Sequence, residues 1–235
     1  MKPSFERRVV AEFIGTLLLL AAVVGSGIMG ERLASGNVAI ALLANSLATG
    51  AALIAIILAF GPISGAHLNP AVTLADAWLG GIAWRETPAY ILAQLTGALA
   101  GVIAAHIMFG LSVFSFSSHV RSGSAQMFSE FIATFGLMAV ILGCARTRPA
   151  AVPFAVGAYI TAAYWFTAST SFANPAVTLA RSATNTFSGI RPVDSLEFIA
   201  AQLAGTFSAT LLFQWLMPSI ASNSSAVLVK HDLAV

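Results

Sequence analysis

Charge is what this sequence has least of. Only 9% of its 235 residues are Asp, Glu, Lys or Arg, where an ordinary soluble domain carries about a quarter. That shortage argues against a water-soluble surface. The net charge of +2 is too small to point to nucleic acid as a partner. There is one cysteine, Cys144, which excludes an intramolecular disulfide; set in an apolar run, it reads as a small hydrophobe. The His, Cys, Asp and Glu residues show no metal-ligand spacing and no nucleophile–base pair, so no metal, no cofactor and no catalytic residue is expected. No small-residue cleavage pattern follows the first apolar run, which is long enough to span a bilayer, so no cleavable signal peptide is expected.

What is abundant is apolar sequence: 58% of the residues are hydrophobic, and they fall in long runs. A single large and unusually apolar soluble domain would not distribute them so. A spanning helix needs about 20 mostly apolar residues, and six stretches qualify, near Val9–Met29, Val38–Phe60, Thr87–Phe109, Gln126–Ala145, Ala150–Thr167 and Leu196–Met217. Two more, Asn69–Leu79 and Asn174–Phe187, are too short to cross. At about 1.5 Å per residue each reaches halfway, which is tolerated only where protein or a water-filled cavity surrounds the inner end. The fold class expected is an all-α membrane protein of six transmembrane helices plus two re-entrant half-helices.

The chain reads as one domain, 1–235, made of two repeats, about 1–118 and 119–235. Ala11-Glu12-Phe13-Ile14 resembles Ser129-Glu130-Phe131-Ile132, the seven residues from Asn69 to Ala75 are identical to those from Asn174 to Ala180, and Ala93-Gln94-Leu95 recurs as Ala201-Gln202-Leu203. With three spans per half, the second repeat enters from the opposite side. The repeats are therefore inverted, and the half-helices meet N-terminus to N-terminus near the midplane. With the N-terminus inside, Lys2, Arg7, Arg8, Arg85, Arg146, Arg148 and Lys230 face the cytoplasm, against Arg32, Arg121, Arg181 and Arg191 outside. The Lys/Arg bias thus places both termini in the cytoplasm.

Asparagine is a favoured N-cap and proline a favoured first helical residue, so Asn69-Pro70-Ala71 and Asn174-Pro175-Ala176 are strong helix starts. Gly80-Gly81 and Ser188-Gly189 suit the helix ends. An asparagine whose side-chain oxygen caps its own helix has its amide held as a donor toward a passing oxygen. Two helix N-termini also bring roughly half a positive charge each to the midplane, opposing cations while admitting neutral hydroxylated solutes. One Asn-Pro pair would be an ordinary cap; two inside inverted apolar repeats point to a pore.

On these motifs, and on Ser64-Gly65-Ala66-His67-Leu68 leading into the first triplet, the chain resembles the aquaporin, or major intrinsic protein, family over nearly its whole length. Tyr164 to Asn174 resembles the bacterial aquaglyceroporins linked to arsenic resistance. The resemblance implies a homotetramer in the inner (plasma) membrane with one pore per subunit. It also implies a four-residue filter outside the asparagine pair, which falls by spacing on Thr49, Ala162 (or its neighbour Ala163), Ser171 and Val177. Family members usually carry arginine at the Val177 position and a bulky aromatic at Thr49. The small residues here imply a wide, uncharged filter, with Tyr159, Tyr164 and Phe172 near enough to narrow it.

Seven residues beyond each asparagine the repeats diverge into Asp76 and Arg181. Arg181 lies one turn beyond Val177 on the same face. Helical side chains lean toward the N-terminus, so it is able to reach back into the space left at Val177, with Asp76 and His67 as vestibule residues on the other side. The alternative is that both are ordinary helix-end charges facing headgroup water or a local partner. Glu12 and Glu130, carboxylates costly within a membrane, are expected to support the two loops, with Gln94 and Gln202 beside them; the alternative is a proton relay. His67 is balanced between a loop hydrogen bond and the pore, and His106 reads as structural. Gly97 and Gly101, matched by Gly205 and Ala209, suit close helix packing.

The function expected is a passive channel for small neutral solutes, namely glycerol-like polyols, urea and water, together with arsenite as As(OH)₃, which the resemblance to the arsenic-resistance members implies, with the lipid bilayer as surroundings and not an enzyme. The alternatives are a water-selective channel and a proton-coupled transporter.

Overall fold

The structure, a computed structural model, describes residues 3–218. Eight α-helices run in the order α1 (Phe5–Leu33), α2 (Val38–Ser64), α3 (Pro70–Trp78), α4 (Thr87–Met108), α5 (Ser124–Thr147), α6 (Val152–Phe166), α7 (Pro175–Arg181) and α8 (Ser195–Leu216), and no strand occurs among the described residues. Five of the helices, α1, α2, α4, α5 and α8, are long and apolar enough to cross a membrane. The sixth, α6, has 15 residues and follows a 3₁₀ turn at Pro149–Ala151. Turn and helix together rise about 28 Å, close to the hydrocarbon thickness. Their outer faces expose Leu47, Leu58, Leu92, Phe128, Phe154 and Leu211, which suits contact with lipid rather than water.

The contacts repeat with the sequence. Helix α1 packs on α2 and α4 as α5 packs on α6 and α8, and the two halves join where α2 meets α6. Each half-helix touches both α4 and α8, and α3 also touches α7. Glycine permits the closest of these approaches. A Cβ at Gly97 or Gly101 would collide with the carbonyl oxygen of Phe13 or Leu17 on α1, and one at Gly205 would lie 2.5 Å from that of Phe131 on α5. We expect Gly205→Ala to cost about 1–3 kcal/mol by overpacking, read as a lower melting temperature of the detergent-purified protein. Gly143→Ala is the control, because its nearest neighbour would be the Phe213 ring at 3.5 Å. Equal melting temperatures for the two variants would refute the close packing.

The half-helices end differently from one another. On α3, Gly80 takes φ +80, and Gly80 and Gly81 donate their N–H groups to Ala77 and Asp76 oxygens at 3.2 and 2.8 Å. This is the glycine-terminated helix end the sequence predicts. The expected reach of the second to Phe187 is corrected: α7 stops at Arg181. Its trailing carbonyls at Ser182 and Ala183 accept instead from the N–H groups of Ser117 and Ser115 in the α4–α5 connection, at 3.0 and 3.3 Å. Cys144 is free and partly buried against the core. His106 is fully buried, its ring nitrogens 2.7 Å from Ser112 O and 2.6 Å from Thr184 Oγ1.

Candidate functional site

Asn69 and Asn174 cap α3 and α7 with their side-chain oxygens. Oδ1 of Asn69 accepts from Ala71 N at 2.9 Å, and Oδ1 of Asn174 from Ala176 N and Val177 N at 2.9 and 3.3 Å. Pro70 and Pro175 occupy the first helical positions, where no N–H is needed. The amides then cross between loops: Nδ2 of Asn69 donates to Ala173 O and Nδ2 of Asn174 to Leu68 O, both at 2.8 Å. An amide nitrogen carries two hydrogens. One is used to tie the opposite loop, and each asparagine also faces a shared cavity.

The crossing depends on unusual backbone. Leu68 and Ala173, the residues before each asparagine, have φ of 53 and 49, and Ala66 and Ser171 have 47 and 50. Left-handed conformations cost non-glycine residues roughly 1–2 kcal/mol apiece, so something must hold them. The holders are Glu12 and Glu130, both fully buried. Glu12 accepts from Ser64 Oγ, His67 N, Leu68 N and Gln94 Nε2 at 2.6, 2.9, 2.7 and 2.8 Å. Glu130 accepts from Phe172 N, Ala173 N and Gln202 Nε2 at 2.9, 2.9 and 2.6 Å. Gln94 and Gln202 donate further, to Thr73 Oγ1 and Thr178 Oγ1, each at 2.8 Å. Those threonines close the circuit by donating to the backbone oxygens of Asn69 and Asn174 at 3.1 and 2.9 Å. Thr73 and Thr178 are site residues the motif reading did not single out, although both stand four places after the asparagine in the identical heptapeptide.

The cavity continues from the asparagine pair past Thr49 on α2, Tyr164 on α6, Ser171 in the second loop, and Val177 and Arg181 on α7. Leu19, Leu53, Ile57, Leu137 and Ile141 form an apolar wall to it. Its volume is about 60 Å³, where holding one water takes roughly 10–15 Å³, so it admits a short file of waters or one small polyol. Ala162 is corrected. It is exposed on the outer face of α6, and the cavity-facing row of that helix is Val156, Ile160 and Tyr164 at four-residue spacing. Ala163 is buried but is not part of the wall. The Tyr164 hydroxyl lies 3.2 Å from Thr49 Oγ1, so an aromatic side chain narrows the ring of small residues that the sequence leaves wide. Phe172 also lines the cavity, whereas Tyr159 turns away and donates to the Ala133 carbonyl on α5 at 3.1 Å.

The charged residues are not in open vestibules. Asp76 is buried, with Oδ2 at 3.4 Å from His67 Nε2, and it fits only because Gly81, beside it, has no side chain. His67 lines the cavity, its Nδ1 3.1 Å from Thr73 Oγ1 and its ring tilted on Tyr90. Arg181 is 2% exposed. Its guanidinium lies 3.4 Å from the centroid of Phe172 and its Nε donates to Ser188 O. Arg121, one of the outer charges in the Lys/Arg bias, sits 5.2 Å from the same ring.

Known proteins match both the sequence and the fold. The family model for the major intrinsic proteins matches residues 1–152 and 144–235. The chain is 56% identical over 214 residues, 91% of each chain, to the aquaglyceroporin AqpS of Rhizobium meliloti (strain 1021). It is 37% identical over 147 residues to the rice aquaporin NIP1-4, where the match covers 62% of this chain and 52% of the relative. Among solved structures, the aquaglyceroporin from Plasmodium falciparum superposes over 94% of this chain and all of that one with a TM-score of 0.72 at 21% identity, which speaks for the fold. Two capped half-helices crossed at their asparagines, and a family match running the length of the chain, make this protein a member of the major intrinsic protein family.

Proposed function

We propose that the protein is a passive, bidirectional membrane channel for small neutral hydroxylated solutes, with glycerol-like polyols and As(OH)₃ as the main cargo and urea and water as companions. The observation that carries this reading is the mixed lining of the cavity. Apolar side chains from α1, α2 and α5 share it with hydrogen-bonding groups at Asn69, Asn174, Thr49, Tyr164 and Ser171, and a molecule that carries both carbon and hydroxyls matches both. Arsenous acid, with three hydroxyls on a neutral centre, presents the same donors and acceptors. The relative named as an aquaglyceroporin supports the same class.

A proton-coupled transporter is disfavoured because Glu12 and Glu130 do not line the cavity and their oxygens are taken by backbone N–H and glutamine donors. In our reading Asn69 and Asn174 form the central donors, and Thr49, Tyr164, Ser171 and Val177 form the filter. The chain acts as one channel domain of two inverted repeats, about 1–118 and 119–235, and assembles as a homotetramer in the inner (plasma) membrane. Arg7, Arg8, Arg85, Arg146 and Arg148 at one end, against Arg32, Arg121 and Arg191 at the other, support cytoplasmic termini. Lys2 and Lys230, which add to that bias, lie outside the described residues.

The test is flux through the full-length protein in liposomes, with water, glycerol, urea and arsenous acid side by side. Glycerol and arsenous acid are expected to cross about tenfold or more faster than in protein-free vesicles, a barrier difference of about 1.4 kcal/mol or more, and at a rate set by the solute gradient alone. Fast water with glycerol and arsenous acid at the protein-free rate would replace this reading with a water-selective channel.

A further inference from the structure

The filter as read from its four positions carries no charge, yet one cavity-lining residue just beyond Val177 does. Arg181 is on the cavity wall and is buried. It is held from two sides, by the Ser188 carbonyl and by the face of Phe172. Phe172 is in turn fixed edge-on by Phe198, with ring centroids 5.2 Å apart. A guanidinium is a weakly hydrated, permanent cation that stacks well on aromatic faces, so this pocket holds it without neutralising it. Among the described residues no carboxylate lies within ion-pair distance of Arg181; the ion pairs found join Arg8 to Glu86, His67 to Asp76 and Arg191 to Asp194. Glu130 contributes to its field, but that carboxylate is already taken up by Phe172 N, Ala173 N and Gln202. The guanidinium of the nearby second cation, Arg121, binds backbone oxygens of Gly189 and Ser169 at 2.9 and 3.2 Å, and only its backbone N–H meets an acid, Asp194, at 2.9 Å.

We propose that Arg181, clamped by Phe172 and Ser188, is a specificity-determining residue of the pore: its positive charge, which no carboxylate among the described residues ion-pairs, excludes cations and protons from the half of the cavity built by α7 and the second loop, where residue 177 contributes none. The reasoning is electrostatic. A fixed charge beside a narrow cavity with low-dielectric walls acts at far greater strength than the same charge in water, and pores use such charges to reject ions of like sign while leaving neutral solutes unaffected. The asparagine pair with its two helix N-termini forms one positive region at the midplane. Arg181 forms a second, lying off that plane beyond Val177, so a cation entering on this side meets it before the first.

This inference rests on the cavity being the conducting path. The experiment uses the full-length protein in liposomes and reads proton leak under an imposed potential together with glycerol flux. Arg181→Met keeps length and removes charge, and is expected to raise proton leak about tenfold relative to glycerol flux. The double variant Val177→Arg with Arg181→Met returns a charge to the same helix face one turn earlier, and is expected to bring the leak back to within about threefold of the unaltered protein. A merely structural Arg181, tying down the loop around Ser188, would not be rescued from position 177. Val177→Asp places a carboxylate one turn from Arg181 in an otherwise unaltered chain, is expected to raise the leak similarly, and decides the matter if Arg181→Met does not purify as a monodisperse protein.

Unchanged proton leak in a glycerol-conducting Arg181→Met, or in Val177→Asp when Arg181→Met does not fold, would overturn the proposal. So would a leaky Arg181→Met that charge at 177 fails to repair. Glycerol and water fluxes at the protein-free rate in the unaltered chain would instead overturn the channel reading itself, which keeps the two failures apart.

Discussion

Glu130→Ala is expected to reduce solute flux to the rate of protein-free vesicles. The carboxylate accepts three hydrogen bonds, from the N–H groups of Phe172 and Ala173 and from Gln202 Nε2, in a place with no exposure to solvent. A buried donor left without a partner costs about 1–3 kcal/mol, so losing all three acceptor contacts costs on the order of 3–9 kcal/mol, set against a total stability of about 5–15 kcal/mol for a typical fold. The damage is also local. Ser171 and Ala173 sit in left-handed conformations that the bonds to Glu130 help to hold, and Ala173 O is the acceptor for Asn69. Releasing that segment lets the crossing between the half-helices fail. Glu130→Gln is expected to be severely impaired as well, because its amide would set a donor against a backbone N–H. The measurement is glycerol flux per reconstituted protein, with monodispersity in detergent to report folding. Flux within threefold of the unaltered protein in Glu130→Ala would show that the second loop is held by something else.

Glu12 and Glu130 also show how far the amino-acid sequence carries. Two carboxylates in apolar runs are intelligible before any coordinates, because such groups need dedicated partners, and their equal places in the two repeats point at the two loops. The asparagine caps are equally legible, since Asn-Pro is a local signal whose geometry follows from two residues. All six spans announce themselves as apolar runs, although the fifth in chain order folds as a helix of only 15 residues, α6, behind a 3₁₀ turn. What escapes is register. Counting back twelve residues from Asn174 gives Ala162, but the segment between α6 and Asn174 is compact, with Thr170, Ser171 and Ala173 all at positive φ, and the residue that reaches the cavity is Tyr164, two places later. Three non-glycine residues in the left-handed region are a tertiary effect, imposed in part by Glu130, and leave no propensity signal. The end of α7 escapes for a related reason. Between Arg181 and Phe187 the residues are Ser-Ala-Thr-Asn-Thr, a polar run whose first two carbonyls, Ser182 and Ala183, are claimed by the α4–α5 connection, and that partner is about 65 residues distant in sequence. The inward turn of Asp76 depends on a missing Cβ at Gly81, a contact no helix-face argument contains.

Tyr164→Ala is expected to relax solute selection more than any other change in the cavity wall. The phenol extends from the last turn of α6 to within 3.2 Å of Thr49 Oγ1 on α2, and the other proposed filter members, Ser171 and Val177, are too small to make up for its loss. Its base is rigid. Trp165 Nε1 donates to Ser46 Oγ at 3.1 Å, and α2 and α6 approach so closely at Gly50 that a Cβ there would lie 2.8 Å from Gly157 O. The helices therefore do not readily close over the space a truncation opens. A polyol larger than glycerol, such as xylitol, is expected to gain about tenfold in flux relative to glycerol, a change of about 1.4 kcal/mol in the difference between their barriers. Tyr164→Phe removes only the hydroxyl and its bond to Thr49, leaving the ring as an obstruction, so its effect should stay below threefold. Ala162→Leu tests the register from the other side. That side chain points away from the cavity, and enlarging it should leave the xylitol-to-glycerol ratio where it was. If instead Ala162→Leu narrowed selection while Tyr164→Ala left the ratio unchanged, the filter would lie at the position obtained by counting back from Asn174, and the cavity wall of α6 would have been assigned to the wrong face.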